Sequence, residues 1–183
     1  MNQLSLHILD IVQNSIKAKA TLIEINVDEN PAKNIYSIEI IDNGNGIEPE
    51  FLKTIDNPFT TTQTTRKVGL GIPLLKQNAE QAGGSFEIKS EPGKGTRLKA
   101  VFLHSHIDRP IMGDIAGTMT ILIASEMHIR FIYRHSTPLS DFEFDTDEVN
   151  HELEGTPINH PDIIKALKSL INENLDMIEA TLT

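Results

Sequence analysis

The chain contains no cysteine. Disulfides and thiolate chemistry are therefore excluded, and the composition suits a reducing cytosol. Basic residues are also scarce: 16 Lys and Arg face 26 Asp and Glu, a formal net charge of −10, and nowhere do three basic residues run together. That balance disfavours binding to nucleic acid or an anionic membrane, which needs clustered cations. No apolar run approaches the length of a membrane span, and Met1 to His7 lacks the positive start of a secretory signal. These absences lead us to expect a soluble cytoplasmic protein. What is present is a hydrophobic fraction of 39%, enough for a true core. A length of 183 residues fits one large domain, or one domain with an appendage.

The most distinctive stretch runs from Phe59 to Gly71. Its threonines are too polar to bury and poorly suited to a helix, so it reads as a loop. Arg66 and Lys67 precede Gly69-Leu70-Gly71, which opens an apolar helical run with Pro73 near its start. A glycine hinge feeding a helix leaves unpaired backbone N–H groups pointing outward, which favours a phosphate there. The plainer alternative is a surface loop ended by an ordinary glycine turn.

Ahead of this stretch, residues 4–18 read as a helix with Ile8, Leu9, Val12 and Ile16 on its apolar side. His7, Asp10, Asn14 and Lys17 share another face, by default the solvated one. Asp10 and Asn14, one turn apart, are also oxygen donors able to hold a water and a hard cation if a triphosphate lies nearby. Residues 21–28 and 35–42 alternate as two strands of an antiparallel hairpin around Pro31. The second runs into Asp42-Asn43-Gly44-Asn45-Gly46, a carboxylate at a strand end followed by spaced glycines. Such a pattern lets backbone approach a flat ligand while the carboxylate accepts its N–H donors, although a plain Asn-Gly turn looks the same. Residues 48–52 read as a short helix and 72–82 as a longer one ended by Gly83-Gly84. Strands over 85–90 and 97–103 flank a turn at Glu91-Pro92-Gly93-Lys94-Gly95-Thr96.

In sequence order, Asp10-x-x-x-Asn14, Asp42-x-Gly44-x-Gly46, Pro58-Phe59-Thr60-Thr61-Thr62, Gly69-Leu70-Gly71 and Gly93-x-Gly95-Thr96 resemble the motif boxes of the GHKL ATPases. That superfamily holds DNA gyrase, Hsp90, histidine kinases and MutL. The spacing is most similar to the ATP-binding catalytic domain of histidine kinases, and the resemblance covers residues 4–103. It implies an α/β fold of the Bergerat type: a two-layer α+β sandwich whose mixed, mostly antiparallel sheet carries helices on one face. It implies ATP and Mg²⁺ as cofactors. Asp42 would accept the adenine amino group, Gly44 and Gly46 would admit the ring, and Thr96 would hydrogen-bond near it. Asn14 would ligate Mg²⁺, and Gly69, Leu70 and Gly71 would cradle the phosphates. Asp10 stands where the family often has a catalytic glutamate and is one methylene shorter, which weakens it as a base. By position alone, Lys17, Arg66 and Lys67 are placed to screen phosphate charge. Lys67 also replaces a frequent lid glycine, and the threonine run would form a mobile lid.

Because the motif helix starts almost at Met1, the helical hairpin and phospho-accepting histidine of histidine kinases are not expected ahead of it. His7 is expected at the pocket edge or in solvent, and the other histidines mostly at the surface. We divide the chain into residues 1–103, the ATP-binding domain, and 104–183, a C-terminal extension. In the extension, 104–117 reads as a linker, 118–125 and 128–135 as strands, and 136–161 as an acidic, irregular segment. From Pro161 to about Ile178 a helix carries the stripe Ile163, Leu167, Leu170, Ile171, Leu175 and Ile178. This β-β-α extension is expected to pack its helix on its own strands, the alternative being a homo-oligomer or partner interface. Two functions suit the whole: a stand-alone kinase passing the γ-phosphoryl to a protein partner, or a non-catalytic ATP-dependent switch that binds a regulator. A DNA clamp fits the acidic charge poorly.

Overall fold

The computed structural model describes residues 3–55 and 71–183, apart from the side chains of Phe51, Thr54 and Ile55. Pro58 to Thr62, Arg66, Lys67, Gly69 and Leu70, on which the lid and phosphate-loop expectations fall, lie outside the described residues.

Helix α1 (Leu4–Lys17) buries Leu4, Ile8, Ile11 and Val12, an apolar stripe at spacings of three and four. Strands β1 (Leu22–Asn30) and β2 (Ile35–Asp42) pair antiparallel around a single 3₁₀ turn over Pro31–Lys33. After α2 (Pro49–Ile55), α3 (Gly71–Gln81) leads into the hairpin of β3 (Ser85–Glu91) and β4 (Gly95–Leu103). The chain continues through α4 (Ile115–Ser125), β5 (Arg130–Ser136), β6 (Asp141–Asp145), α5 (Thr146–Glu152) and α6 (Pro161–Met177). The six strands among the described residues join one mixed sheet in the order β3-β4-β2-β1-β5-β6, antiparallel except where β5 runs parallel to β1.

Alternation decides which face is covered. Ile23, Ile25 and Val27 of β1, Tyr36, Ile38 and Ile40 of β2, and Leu98, Ala100 and Phe102 of β4 are buried. Residues one step out of phase carry ion pairs such as Arg97–Glu39 and Arg134–Glu24. Within the helix layer α1 packs against both α3 and α4, and α6 packs on α4. Among the described residues, no helix is long and apolar enough to cross a membrane.

The region after residue 103 differs from its sequence reading. Thr118 to Ser125, expected as a strand, is helix α4. It is apolar along most of its length because α1 and α6 pack against it and most of its side chains are buried, and such a run has no helical period to read. Its start signal is Asp114, whose Oδ1 accepts the Gly117 N–H at 2.8 Å. The expected irregular segment 136–161 contains β6, with Phe142 and Phe144 turned inward, and α5, capped by Asp145. The expected linker is stitched to the start of α1: Leu4 and Ser5 donate their N–H groups to the carbonyls of Ile111 and Met112 at 2.8 and 2.9 Å. The stripe of α6 lies against α4, with Leu167, Ile171 and Leu175 buried; β6 is a lesser neighbour.

Two histidines are also more deeply placed than expected. His7 is fully buried, between α1 and α3. His135 is fully buried at the far end of the sheet, where its Nε2 lies 2.7 Å from Glu29 Oε1 and its Nδ1 2.7 Å from the Tyr133 hydroxyl. Thr181, close to the C-terminus, donates its backbone N–H to the same Glu29 oxygen at 2.8 Å.

Candidate nucleotide site

Strand β2 ends on Asp42, and the antiparallel register sets Thr96 of β4 directly opposite it. Both residues occupy the covered face, beneath the C-terminal half of α1. Asp42 is 8% exposed, so its carboxylate needs partners inside the protein. It has two: Ser15 Oγ donates to Oδ2 at 2.6 Å, and the Gly44 N–H donates to Oδ1 at 2.9 Å. Each oxygen retains acceptor capacity for a ligand. Ser15, one residue after Asn14, did not emerge from the sequence. A single serine on a helix gives no sign of its partner until the helix is laid across the strand end.

The loop after Asp42 is fixed from both sides. Asn43 Oδ1 accepts the N–H groups of Thr21 and Leu22 at 2.8 and 3.0 Å, and the Asn45 N–H reaches the Ala18 carbonyl at 2.7 Å. Gly44 rests on the end of α1, where a Cβ would come within 2.8 Å of the Ala18 carbonyl oxygen. Gly46 has φ +70° and stands so close to the β3–β4 turn that a Cβ would lie 2.1 Å from the Glu91 oxygen. The immediate work of these glycines is thus to wedge the loop between α1 and the hairpin.

Ser90 is a second residue that sequence reading missed. Its Oγ accepts the Ile47 N–H at 2.8 Å, lies 2.9 Å from Thr96 Oγ1 and donates to the Gly95 carbonyl at 2.9 Å. With the serine proton committed to Gly95, Thr96 is the donor to Ser90, and its lone pairs are left for a ligand or water. Residues Asp42, Ser15, Thr96, Ser90, Gly44 and Gly46 therefore form one tied polar shelf.

The other expected residues lie along α1. Asn14 is half-buried, and its Nδ2 is inaccessible with no hydrogen-bond partner among the described residues. A buried amide N–H left in that state fits an acceptor from outside the described residues. Asp10, one turn earlier and half-buried, lies against the first residue of α3: a Cβ on Gly71 would come within 2.7 Å of Asp10 Cβ and 3.2 Å of Oδ2. Lys17 is exposed one turn past Asn14. Helix α1 thus connects the shelf at Asp42 with the start of α3, and Asn14 stands between the two. Among the described residues, no cluster of three His, Asp or Glu forms a metal centre by itself.

Comparison with known proteins agrees with this fold. Residues 2–106 match the family described as histidine kinase-, DNA gyrase B- and HSP90-like ATPase, and the chain belongs to that family. It is an ATP-binding domain of the GHKL superfamily, similar to the catalytic domains of histidine kinases. Sporulation kinase C of Bacillus subtilis (strain 168) is 32% identical over 102 residues, 55% of this chain and 23% of that protein. Sensor protein SrrB of Staphylococcus aureus (strain NCTC 8325 / PS 47) is 39% identical over 79 residues, 40% of this chain and 13% of that protein. The chain therefore spans less than a quarter of either relative. A solved N-terminal domain of a DNA repair protein shares the fold, with a TM-score of 0.50 and 19% identity over 79% of this chain and 52% of that one.

Proposed function

We propose that this chain binds MgATP and serves as a regulatory phosphotransferase, passing the γ-phosphoryl group to a protein partner. The observation that carries the reading is the placement of Asn14. Its buried Nδ2, without a hydrogen-bond partner among the described residues, adjoins Ser15, which anchors Asp42, and follows Asp10, which abuts α3, by one turn. Asp42 and Thr96 hold the adenine edge. Asn14 supplies an oxygen to Mg²⁺, Lys17 screens charge at the rim, and the start of α3 at Gly71 offers backbone N–H groups to phosphate. Arg66, Lys67, Gly69 and Leu70 extend the phosphate side on sequence grounds. Bound MgATP would supply the γ-phosphoryl group, which breaks from ADP as the acceptor oxygen attacks, with the metal offsetting the charge. Asp10 accepts the proton of the attacking group, and the remaining catalysis is positioning and charge neutralisation. Residues 1–103 carry these roles, while 104–183 brace the start of α1 through Ile111 and Met112. Similarity to Sporulation kinase C supports the kinase chemistry.

A second reading, a non-catalytic ATP-dependent switch, is favoured by one feature: Asp10 is a short base. Labelled MgATP separates the two. Transfer of label to a protein from the same cell supports the kinase, and tight binding without turnover supports the switch. Asp10→Asn should abolish transfer while leaving the ATP dissociation constant within about threefold of the wild type, since it removes a base and little binding energy. A Ser15→Ala variant should weaken ATP binding roughly fivefold by calorimetry, the loss of about 1 kcal/mol of hydrogen bonding that orients Asp42.

A further inference from the structure

We infer that His7 is a positioning residue for the phosphate end of the site, acting through Asn78 to set the register of α3 along α1. The inference rests on the nucleotide reading above. Asn78 Nδ2 lies 2.9 Å from His7 Nε2. An amide nitrogen only donates, so with this orientation Nε2 must accept and Nδ1 must carry the ring proton. His7 is fully buried, and the helices meet around Ile8, Ile11, Ile72, Leu75 and Ala79, all 4% exposed or less. Apolar side chains of similar size pack in more than one register. A directional polar pair in such a seam favours one.

Register matters because of what stands one turn further along α1. Asp10 is three residues past His7, and Gly71 is seven residues before Asn78, so the two helices run antiparallel and the same interface seats Gly71 on Asp10. At Gly71 a side chain has no room, since its Cβ would fall 2.7 Å from that of Asp10. Sliding α3 by one residue turns it by about 100° and moves it about 1.5 Å, which would bring Ile72 to the place that only glycine fits. The start of α3, which faces the phosphates, is therefore aligned by a bond two helical turns away. The shelf at Asp42 and Thr96 is held by the β2–β4 pairing and by Ser15 of α1, and among the described residues its hydrogen bonds include none to α3.

That division gives the test. In the intact chain, His7→Leu should raise the ATP dissociation constant about tenfold, equivalent to about 1.4 kcal/mol, while adenosine, which reaches only the shelf, stays within about twofold. His7→Gln places an oxygen acceptor near the former Nε2 and should restore ATP binding. The double variant His7→Leu/Asn78→Leu removes both polar partners and should recover the thermal midpoint without recovering ATP affinity. Equal weakening of ATP and adenosine, or full recovery of ATP binding in the double leucine variant, would overturn the assignment and leave His7 a stabilising residue only. A readout free of nucleotide is the ¹⁵N spectrum of the His7 imidazole: an unprotonated Nε2 is expected, and a protonated one sinks the proposal. Wild-type protein that binds neither ligand removes the nucleotide reading itself and this inference with it.

Discussion

Asp42→Asn should lower ATP affinity by a factor on the order of ten to a hundred, because a charged acceptor is worth roughly 1.5–3 kcal/mol when its donor has no substitute. The fold should scarcely register the change. An asparagine at this position can turn its oxygen to the Gly44 N–H and its amide to Ser15 Oγ. Ser15 then redirects its proton to the Ile11 carbonyl, already 3.5 Å away. The internal hydrogen bonds survive, and what disappears is the negative charge and the spare acceptor facing the ligand. Calorimetric titration with ATP, ADP and GTP, beside a thermal melt, checks both halves. ATP affinity within twofold of the wild type would mean that Asp42 does not read the base. A collapse of the melting temperature would mean instead that the carboxylate's first duty is structural.

The residues around Asp42 were legible because each belongs to a pattern with a short period. Alternation over 35–42 placed Asp42 at a strand end, and the turn at Gly93 and Gly95 brought the second strand back, whereas Thr96, read as the last residue of that turn, is the second residue of β4. The region after residue 103 offered less. Met119 to Ala124 is apolar except for Thr120, with β-branched residues that suit a strand, and only the cap at Asp114 favours a helix. Strand β6 has five residues in an acidic stretch, too few for its two phenylalanines to stand out. Buried polar pairs were illegible for a different reason. His7 meets Asn78 across 71 residues of chain, and His135 meets Glu29 across 106. Nothing near a lone histidine says that a partner will arrive from so far away, so its default reading is the surface. Those two pairs are where the tertiary arrangement overrides the local prior.

The Glu29 site should make stability depend strongly on acid. Glu29 is 4% exposed. Burial pushes its carboxyl upward, yet the hydrogen bonds from His135 and Thr181 outweigh that and hold it down to about 2, from an ordinary 4.5. The bonding pattern accounts for the direction: a carboxylate only accepts, so His135 Nε2–H donates to Glu29 Oε1 at 2.7 Å, while Nδ1 meets the Tyr133 hydroxyl. Burial raises the Tyr133 hydroxyl, helped by the nearby Tyr36 and Glu29, which keeps it protonated. Because the folded value lies below the unfolded one, the contribution is fully present above about 4.5 and fades as pH falls through about 2. The shift corresponds to something on the order of 3 kcal/mol.

Urea unfolding from pH 2 to 7 should therefore show a gap between wild type and Glu29→Gln that is widest near neutrality, about 3 kcal/mol, and nearly closed at the acid end. A constant gap at every pH would show that shape, and not charge, accounts for the loss. The consequence should reach beyond the far end of the sheet. Thr181 is held by Glu29, the Leu182 carbonyl accepts the Gly113 N–H at 3.0 Å, and the neighbouring Ile111 and Met112 accept the first N–H groups of α1. Loosening Glu29 frees the C-terminal tail from the segment that seats α1, so hydrogen exchange in Glu29→Gln should quicken at Leu4 and Ser5 before it quickens at the strand pair of Asp42 and Thr96.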